Sequence, residues 1–223
     1  MISNRRFNLG TIALLTLILL TCTASSFAQV SQPGSDILKG KLLYEDNFST
    51  SKGGLWAASI DANFSRYYQN GSYEMVVNPI NSWRSVSVGK DYRDIILEVE
   101  ATQKTGQSDN VYGVIVRRVD WNNYYNFLIS GDGYYKVAKL QNNSWSTAGW
   151  NKSSAIKTGK ATNLIRVVCN GDEFSFYVND VLLQNYTDSS FSSGQIGITA
   201  GTNYALGSVT IDFDDLKIWE IKN

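Results

Sequence analysis

Apolar and polar residues alternate along most of the chain beyond residue 40, which is the pattern of strands that bury one face. In "RDIILEVEAT", every second residue from Ile95 to Ala101 is apolar, and Glu98 and Glu100 stand between them. The runs "NYYNFLIS" and "GYYKVAKL" are rich in residues that favour strands. No long apolar repeat with the helical period of 3.6 residues occurs after the N-terminal segment, so the sequence predicts an all-β chain.

Turn signals separate the predicted strands. Asn170-Gly171 lies between "LIRVVC" and "EFSFYV", Asn179-Asp180 follows "YV", and a Gly-Asp pair lies within residues 130–133. Such pairs favour hairpins because glycine, asparagine and aspartate tolerate a positive φ. Many short strands joined by tight turns predict a sandwich or a barrel, and one domain over residues 41–223.

Several segments resemble the concanavalin-A-like (laminin-G-like) jelly rolls. They are "NLIRVVCNGDEFSFYVNDVLL", "FSSGQIGITAG" and "VTIDFDDLKIW". The opening "YEDNFSTSKGGLW" and the middle "YGVIVRRVDWNNYYNFLISGDGYY" resemble the bacterial exported branch of that group, whose function is largely unknown. The resemblance covers roughly residues 43–221. It implies a sandwich of two antiparallel sheets, a fold shared by lectins, adhesive modules and glycosidase domains.

The N-terminus has the three parts of a secretory signal peptide: a basic start, an apolar run over residues 9–20 and a small-residue exit. We predict cleavage after Ala28 and a secreted, periplasmic or cell-surface protein. The apolar run is short for a membrane span. A lipid anchor on Cys22 is the alternative, which Thr21 disfavours because a much smaller residue normally precedes such a cysteine.

Removal of residues 1–28 from 223 leaves 195, which we divide into a flexible lead-in over residues 29–40 and the β-domain. The removed segment holds two arginines and no acid, so 18 basic and 20 acidic residues remain, a net charge of −2. A nearly neutral chain has no electrostatic reason to bind nucleic acid or an anionic membrane.

Two residue types limit the chemistry. The chain has no histidine, which excludes Ser-His-Asp and Cys-His catalysis and zinc sites built on imidazole. After signal-peptide cleavage, Cys169 is the one cysteine left, so no internal disulfide can form. Its apolar surroundings in the sequence predict a buried free thiol.

The aromatic stretch around residue 124 suggests a carbohydrate site, although most rings of such a chain belong in the core. The apolar face of a pyranose packs on an aromatic ring while amides and cations bind its hydroxyl groups. Two kinds of ring suit that role: tryptophans in predicted loops, and strand rings that the alternation directs to the outer face. The predicted site comprises Trp121, Tyr124 and Trp145 as rings, with Arg117, Asn123 and Asn126 as polar partners.

Arg117 and Arg118 end a predicted strand, so one of them points toward the core unless a bulge intervenes. We predict that Arg117 lies over the outer sheet as a clamp for a hydroxyl or carboxylate group. A salt bridge to Glu98, Glu100 or Asp120 is the more ordinary interpretation, since ion pairs are common on sheet surfaces.

Glu98 and Glu100 would share one strand face about 7 Å apart, at ~3.3 Å per residue. That separation suits a glycosidase. The jelly-roll glucanases, however, carry a third acid on this strand, and Thr102 and Gln103 stand where it should fall. Two exposed glutamates on a solvated strand are the simpler interpretation.

Asp46, Asp212 and Asp214 form the one candidate metal set. They would meet if the first and last strands pair, and calcium prefers six to eight oxygen ligands. The alternative is that these aspartates bind nearby backbone amides.

Together, these patterns predict an exported, non-catalytic carbohydrate-binding module whose partner is a polysaccharide or a cell-surface glycan. Two alternatives remain open. A structural or adhesive protein-interaction module would show a broad, flat apolar patch, and a glycoside hydrolase would use Glu98 and Glu100.

Overall fold

The computed structural model describes residues 38–51, 56–203 and 207–222. The predicted signal peptide with its cleavage after Ala28, the alternative anchor at Cys22 and the lead-in up to residue 37 lie outside the described residues. No helix of the length and apolarity that a bilayer crossing requires occurs in the part of the chain that is described.

The described residues form strands of two antiparallel sheets, which confirms the predicted all-β jelly-roll sandwich. The eight-stranded sheet has the order β13-β12-β11-β5-β15-β3-β2, and β1 also pairs with β15. Its strands are β1 (Leu38–Asp46), β2 (Phe64–Gln69), β3 (Ser72–Val77), β5 (Ile95–Thr105), β11 (Asn163–Asn170), β12 (Glu173–Val178), β13 (Val181–Thr187) and β15 (Val209–Lys222).

The seven-stranded sheet has the order β10-β8-β7-β6-β14-β4, and β9 pairs with the free part of β8. Its strands are β4 (Trp83–Tyr92), β6 (Val111–Asp120), β7 (Asn123–Ser130), β8 (Tyr134–Gln141), β9 (Ser144–Thr147), β10 (Asn151–Lys152) and β14 (Gly194–Gly201).

The chain enters the sandwich earlier than the sequence predicts. Residues 38–40, the end of the predicted lead-in, already belong to β1, where Lys39 is paired with Ile221 of β15. That pairing supplies backbone partners that a flexible lead-in would lack.

One apolar core lies between the two sheets. Tyr125 and Phe127 of β7 meet Phe174 and Phe176 of β12, with ring centroids 4.7 Å apart for Tyr125–Phe174 and 5.5 Å apart for Phe127–Phe176. All four side chains are fully buried, and burial of each stabilises the fold by roughly 1.5–3 kcal/mol. Cys169 lies in the same core as a free thiol, as predicted, and burial raises its pKa to about 12.

Tight turns connect the strands near the predicted positions. Asn179 and Asp180 join β12 to β13, and both have positive φ, at 49° and 65°. In the hairpin from β11 to β12, Asn170 is paired with Glu173, so the turn is centred on Gly171-Asp172, one residue later than predicted. The turn chemistry therefore sets the register that divides each strand into a core face and an outer face.

Candidate functional site

The outer face of the seven-stranded sheet carries a groove. Successive strand residues point to opposite faces, so the inward Tyr125 and Phe127 of β7 require Tyr124 and Asn126 to face outward. The groove has a volume of about 590 Å³. It is lined by Asn81, Trp83, Ser85, Tyr124, Asn126, Lys136, Trp145, Trp150 and Asn203.

Small residues form the middle of this outer face. Ser85 of β4 is paired with Thr199 of β14, which is paired with Gly113 of β6, and the Ser85 hydroxyl donates to the Thr199 hydroxyl at 2.9 Å. Beside them, Trp83 is paired with Gly201. A Cβ atom on Gly201 would lie 2.8 Å from the Trp83 indole ring. The glycine therefore lets this ring lie close against the neighbouring strand.

Aromatic rings border the groove on the side of β7 and β9. Tyr124, Leu140 and Trp145 form one row across β7, β8 and β9. The Tyr124 and Trp145 rings meet edge to face with centroids 5.8 Å apart, and Trp83 lies 6.3 Å from Trp145. Trp145 is 49% exposed, which leaves much of its surface available for a ligand.

Asn126 lies at the bottom of the groove. Its side chain is only 1% exposed, and its Oδ1 atom has no hydrogen-bond partner among the described residues. A buried acceptor without a partner costs about 1–3 kcal/mol. This carbonyl is therefore available to a ligand that donates a hydrogen bond.

Lys136 supplies the positive charge of the groove. Its Nζ atom lies 4.6 Å from the ring centroid of Trp150 and 5.2 Å from that of Trp83. Burial lowers its pKa below the usual lysine value. The described residues that line the groove include no carboxylate.

Three solved structures show what this sandwich is similar to. The carbohydrate-binding module CBM66 from Bacillus subtilis shares 21% identity and a TM-score of 0.55, over 75% of this chain and 92% of that one. The β-glucanase of Bacillus licheniformis shares 11% identity and a TM-score of 0.60, over 82% and 100%. A Bacillus subtilis protein of unknown function with a galectin-like fold shares 9% identity and a TM-score of 0.61, over 84% and 100%. The chain has a concanavalin-A-like jelly-roll fold.

No protein-family model matches the chain, and no curated protein is similar to it in sequence. These three likenesses are of low sequence identity, so they establish the fold and not the ligand. The laminin-G-like assignment within these jelly rolls stays a prediction.

Of the six predicted carbohydrate-site residues, the jelly roll brings Tyr124, Asn126 and Trp145 together in the groove. Trp121 stands outside this lining and is 48% exposed, and its ring meets that of Tyr124 edge to face with centroids 6.3 Å apart. Asn123 has a local role in turns: its Nδ2 donates to Asp120, and its Oδ1 accepts from the backbone of Asn142 at 3.0 Å.

The predicted position of Arg117 is wrong. A bulge lies between Val116 and Asp120, Arg117 has a φ of 49°, and its side chain turns inward with 2% exposure. The guanidinium donates to the Phe191 carbonyl at 3.0 Å and lies 4.8 Å from the ring centroid of Phe174.

The salt bridges predicted as the alternative for Arg117 are not formed either. Its ion-pair partner is Asp94, at 3.4 Å, rather than Glu98, Glu100 or Asp120. The guanidinium is therefore held between the sheets and cannot act as an outer clamp.

The groove also contains three residues that are absent from the predicted site: Trp83, Trp150 and Lys136. Trp83 alternates with Ser85 and Ser87 in "WRSVSV", so the pattern does contain a signal for an outward ring. That signal gains meaning only when β14 pairs with both β6 and β4 and so joins β4 to the sheet.

The two glutamates of the hydrolase alternative lie on the eight-stranded sheet. Glu98 is 7% exposed and forms ion pairs with Lys39 at 2.8 Å and Arg166 at 2.5 Å. Glu100 lines a recess of about 190 Å³, which Glu98 does not line. The structure does not bring the two carboxylates into one cleft.

The three aspartates of the predicted calcium set have separate partners. Asp46 accepts from the Phe48 backbone at 2.8 Å, Asp212 pairs with Lys104 at 2.6 Å, and Asp214 accepts from the Asp215 backbone at 2.7 Å. The described residues contain no group of three or more acidic, histidine or cysteine side chains placed to hold a metal ion. Calcium stays a prediction that this arrangement of donors does not favour.

The inward position of Arg117 generates a test of its role. Replacement by methionine should destabilise the protein by about 1–3 kcal/mol, because the buried Phe191 carbonyl loses its donor. Urea denaturation measures the change, and the exposed Arg93→Met variant serves as the control. Unchanged stability of the Arg117 variant, accompanied by loss of ligand binding, would contradict the structural role.

Proposed function

We propose that this protein binds a carbohydrate, without cleaving it, in the groove on the outer face of the seven-stranded sheet. The observation that carries this proposal is the buried, unpartnered Oδ1 of Asn126 between aromatic walls. Sugars present apolar C–H faces to rings and hydroxyl donors to acceptors of this kind.

The dimensions and chemistry of the groove suit such a ligand. A volume of about 590 Å³ lies within the usual range for small-molecule sites, roughly 300–1,000 Å³. Trp145 and Trp150 offer stacking surfaces, and Ser85, Asn81 and Asn203 add polar groups along the lining. The similarity in fold to the Bacillus subtilis carbohydrate-binding module supports the same class of ligand.

The charges of the groove favour binding over cleavage. Most glycosidases hydrolyse their substrate with two carboxyl groups that flank the scissile bond. The described lining of this groove has none, and the predicted pair Glu98 and Glu100 lies on the other sheet. We therefore assign no catalytic residue.

A protein-interaction module is the alternative from another class. It would use a broad, flat apolar patch, whereas this face is a groove with amides, a hydroxyl group and an ammonium group between rings. The shape and the polar groups of this face therefore favour a carbohydrate ligand over a protein partner. Export of the protein to a place where it meets a polysaccharide or cell-surface glycan is part of the same proposal.

Trp145 tests the stacking wall. Replacement by alanine should weaken polysaccharide binding about tenfold or more, which corresponds to about 1.4 kcal/mol, because the ligand loses an aromatic surface. Affinity electrophoresis on a panel of immobilised polysaccharides identifies the ligand, and titration calorimetry measures the variants.

Trp121→Ala is the matched control, since Trp121 is equally exposed, 48% against 49%, but lies outside the groove lining. It should bind as the unmodified protein does. Equal losses in the two variants, or none in Trp145→Ala, would show that the groove is not the site.

Asn126 tests the floor of the groove. Asn126→Leu should weaken binding about tenfold while leaving the free energy of unfolding unchanged or higher, because the lost carbonyl had no partner in the free protein. Thermal and urea denaturation measure stability, and calorimetry measures binding. A marked loss of stability would instead assign Asn126 a role in the fold.

A further inference from the structure

We propose that the carbohydrate bound in this groove is acidic, and that Lys136 binds its carboxylate or sulfate group. The inference rests on the proposed function, because it names the chemical class of the ligand that the same groove takes. Three observations carry it: the position of Lys136, its lack of a countercharge and the neutral remainder of the lining.

Lys136 is held within the groove by the sheet. In β8 it is paired with Leu128 of β7, and its side chain is partly buried on the outer face. Its ammonium group lies between two rings, 4.6 Å from the centroid of Trp150 and 5.2 Å from that of Trp83. These rings restrict the ammonium to the groove and leave it fewer water contacts than a surface lysine has.

The described residues give this ammonium group no anionic partner. Other partly buried lysines of the sandwich are paired: Lys139 lies 2.6 Å from Asp188, and Lys217 lies 3.3 Å from Asp215. Lys136 forms neither an ion pair nor a hydrogen bond with any described residue. A partly desolvated charge without a partner is costly, and an anionic ligand would offset that cost.

Apart from Lys136, the described lining of the groove carries no charged side chain. The other polar residues are the neutral Asn81, Ser85, Asn126 and Asn203. Two acids, Asp109 and Asp132, line an adjoining recess of about 210 Å³. That recess shares Trp150 and Asn203 with the groove, and neither acid forms an ion pair with Lys136, so the ammonium group remains available to the acidic group of a ligand.

A lysine ammonium is a compact point charge with rotatable donors, so it can donate hydrogen bonds to either a carboxylate or a sulfate ester. Pairs of polymers that share a backbone but differ in whether it carries the acidic group separate these two sources. The probes are polygalacturonate against its fully methyl-esterified form, and dextran sulfate against dextran. Affinity electrophoresis and titration calorimetry at low and high salt measure binding.

The unmodified protein should bind one charged polymer at least tenfold more tightly than its neutral partner, and added salt should weaken that preference. Binding to polygalacturonate alone identifies a carboxylate, and binding to dextran sulfate alone identifies a sulfate ester.

Lys136→Met keeps an apolar stem and removes the charge, so it should lose the preference for the charged polymer and keep its affinity for the neutral one. Lys136→Arg should retain the preference. The matched control is Lys90→Met: Lys90 also lies near a ring, 5.3 Å from the centroid of Tyr92, but it is an exposed residue outside the groove lining.

The failures are distinguishable. Equal binding of charged and neutral polymers by both the unmodified protein and Lys136→Met would overturn the acidic ligand and leave carbohydrate binding intact. No binding to any of the charged or neutral polymers, together with none in the wider polysaccharide panel, would overturn the proposed function itself.

Discussion

The alternation of side chains along β7 is the constraint on which the rest of the structure depends. Tyr125 and Phe127 pack against the aromatic rings of β12, and this contact fixes the face of β7 that belongs to the core. The same alternation directs Tyr124 and Asn126 outward. A slip of one residue in the pairing would exchange the two faces, so the packed core and the groove are two consequences of one register.

On the outer face, distant parts of the sequence meet. Pairing of β4, β14, β6, β7 and β8 brings Trp83 and Asn126 into one groove, and the turn into β9 adds Trp145. The lining has stacking rings, an acceptor without a partner and one cation, but no carboxylate among its described residues. Such a site is equipped to hold a sugar and lacks the acid pair that would hydrolyse it.

The sequence predicts what depends on short-range pattern. Strand alternation and turn residues give the fold class, and the same alternation identifies Tyr124 and Asn126 as neighbours on one face. Trp83 was beyond reach because β4 joins this face through its pairing with the distant β14, which no local pattern encodes. The inward turn of Arg117 follows from a bulge with positive φ, and simple alternation cannot foresee such a bulge.

The central claim is that the outer groove of the seven-stranded sheet receives the glycan, and the indole N–H signals of the tryptophans test it most directly. An NMR titration with an oligosaccharide of the tightest-binding polysaccharide, assigned with single Trp→Phe variants, reports each ring separately. The signals of Trp83, Trp145 and Trp150 should shift, while those of the core Trp56 and of Trp219 on the other sheet should stay in place. Shifts at Trp219 with none at the three groove tryptophans would contradict this claim.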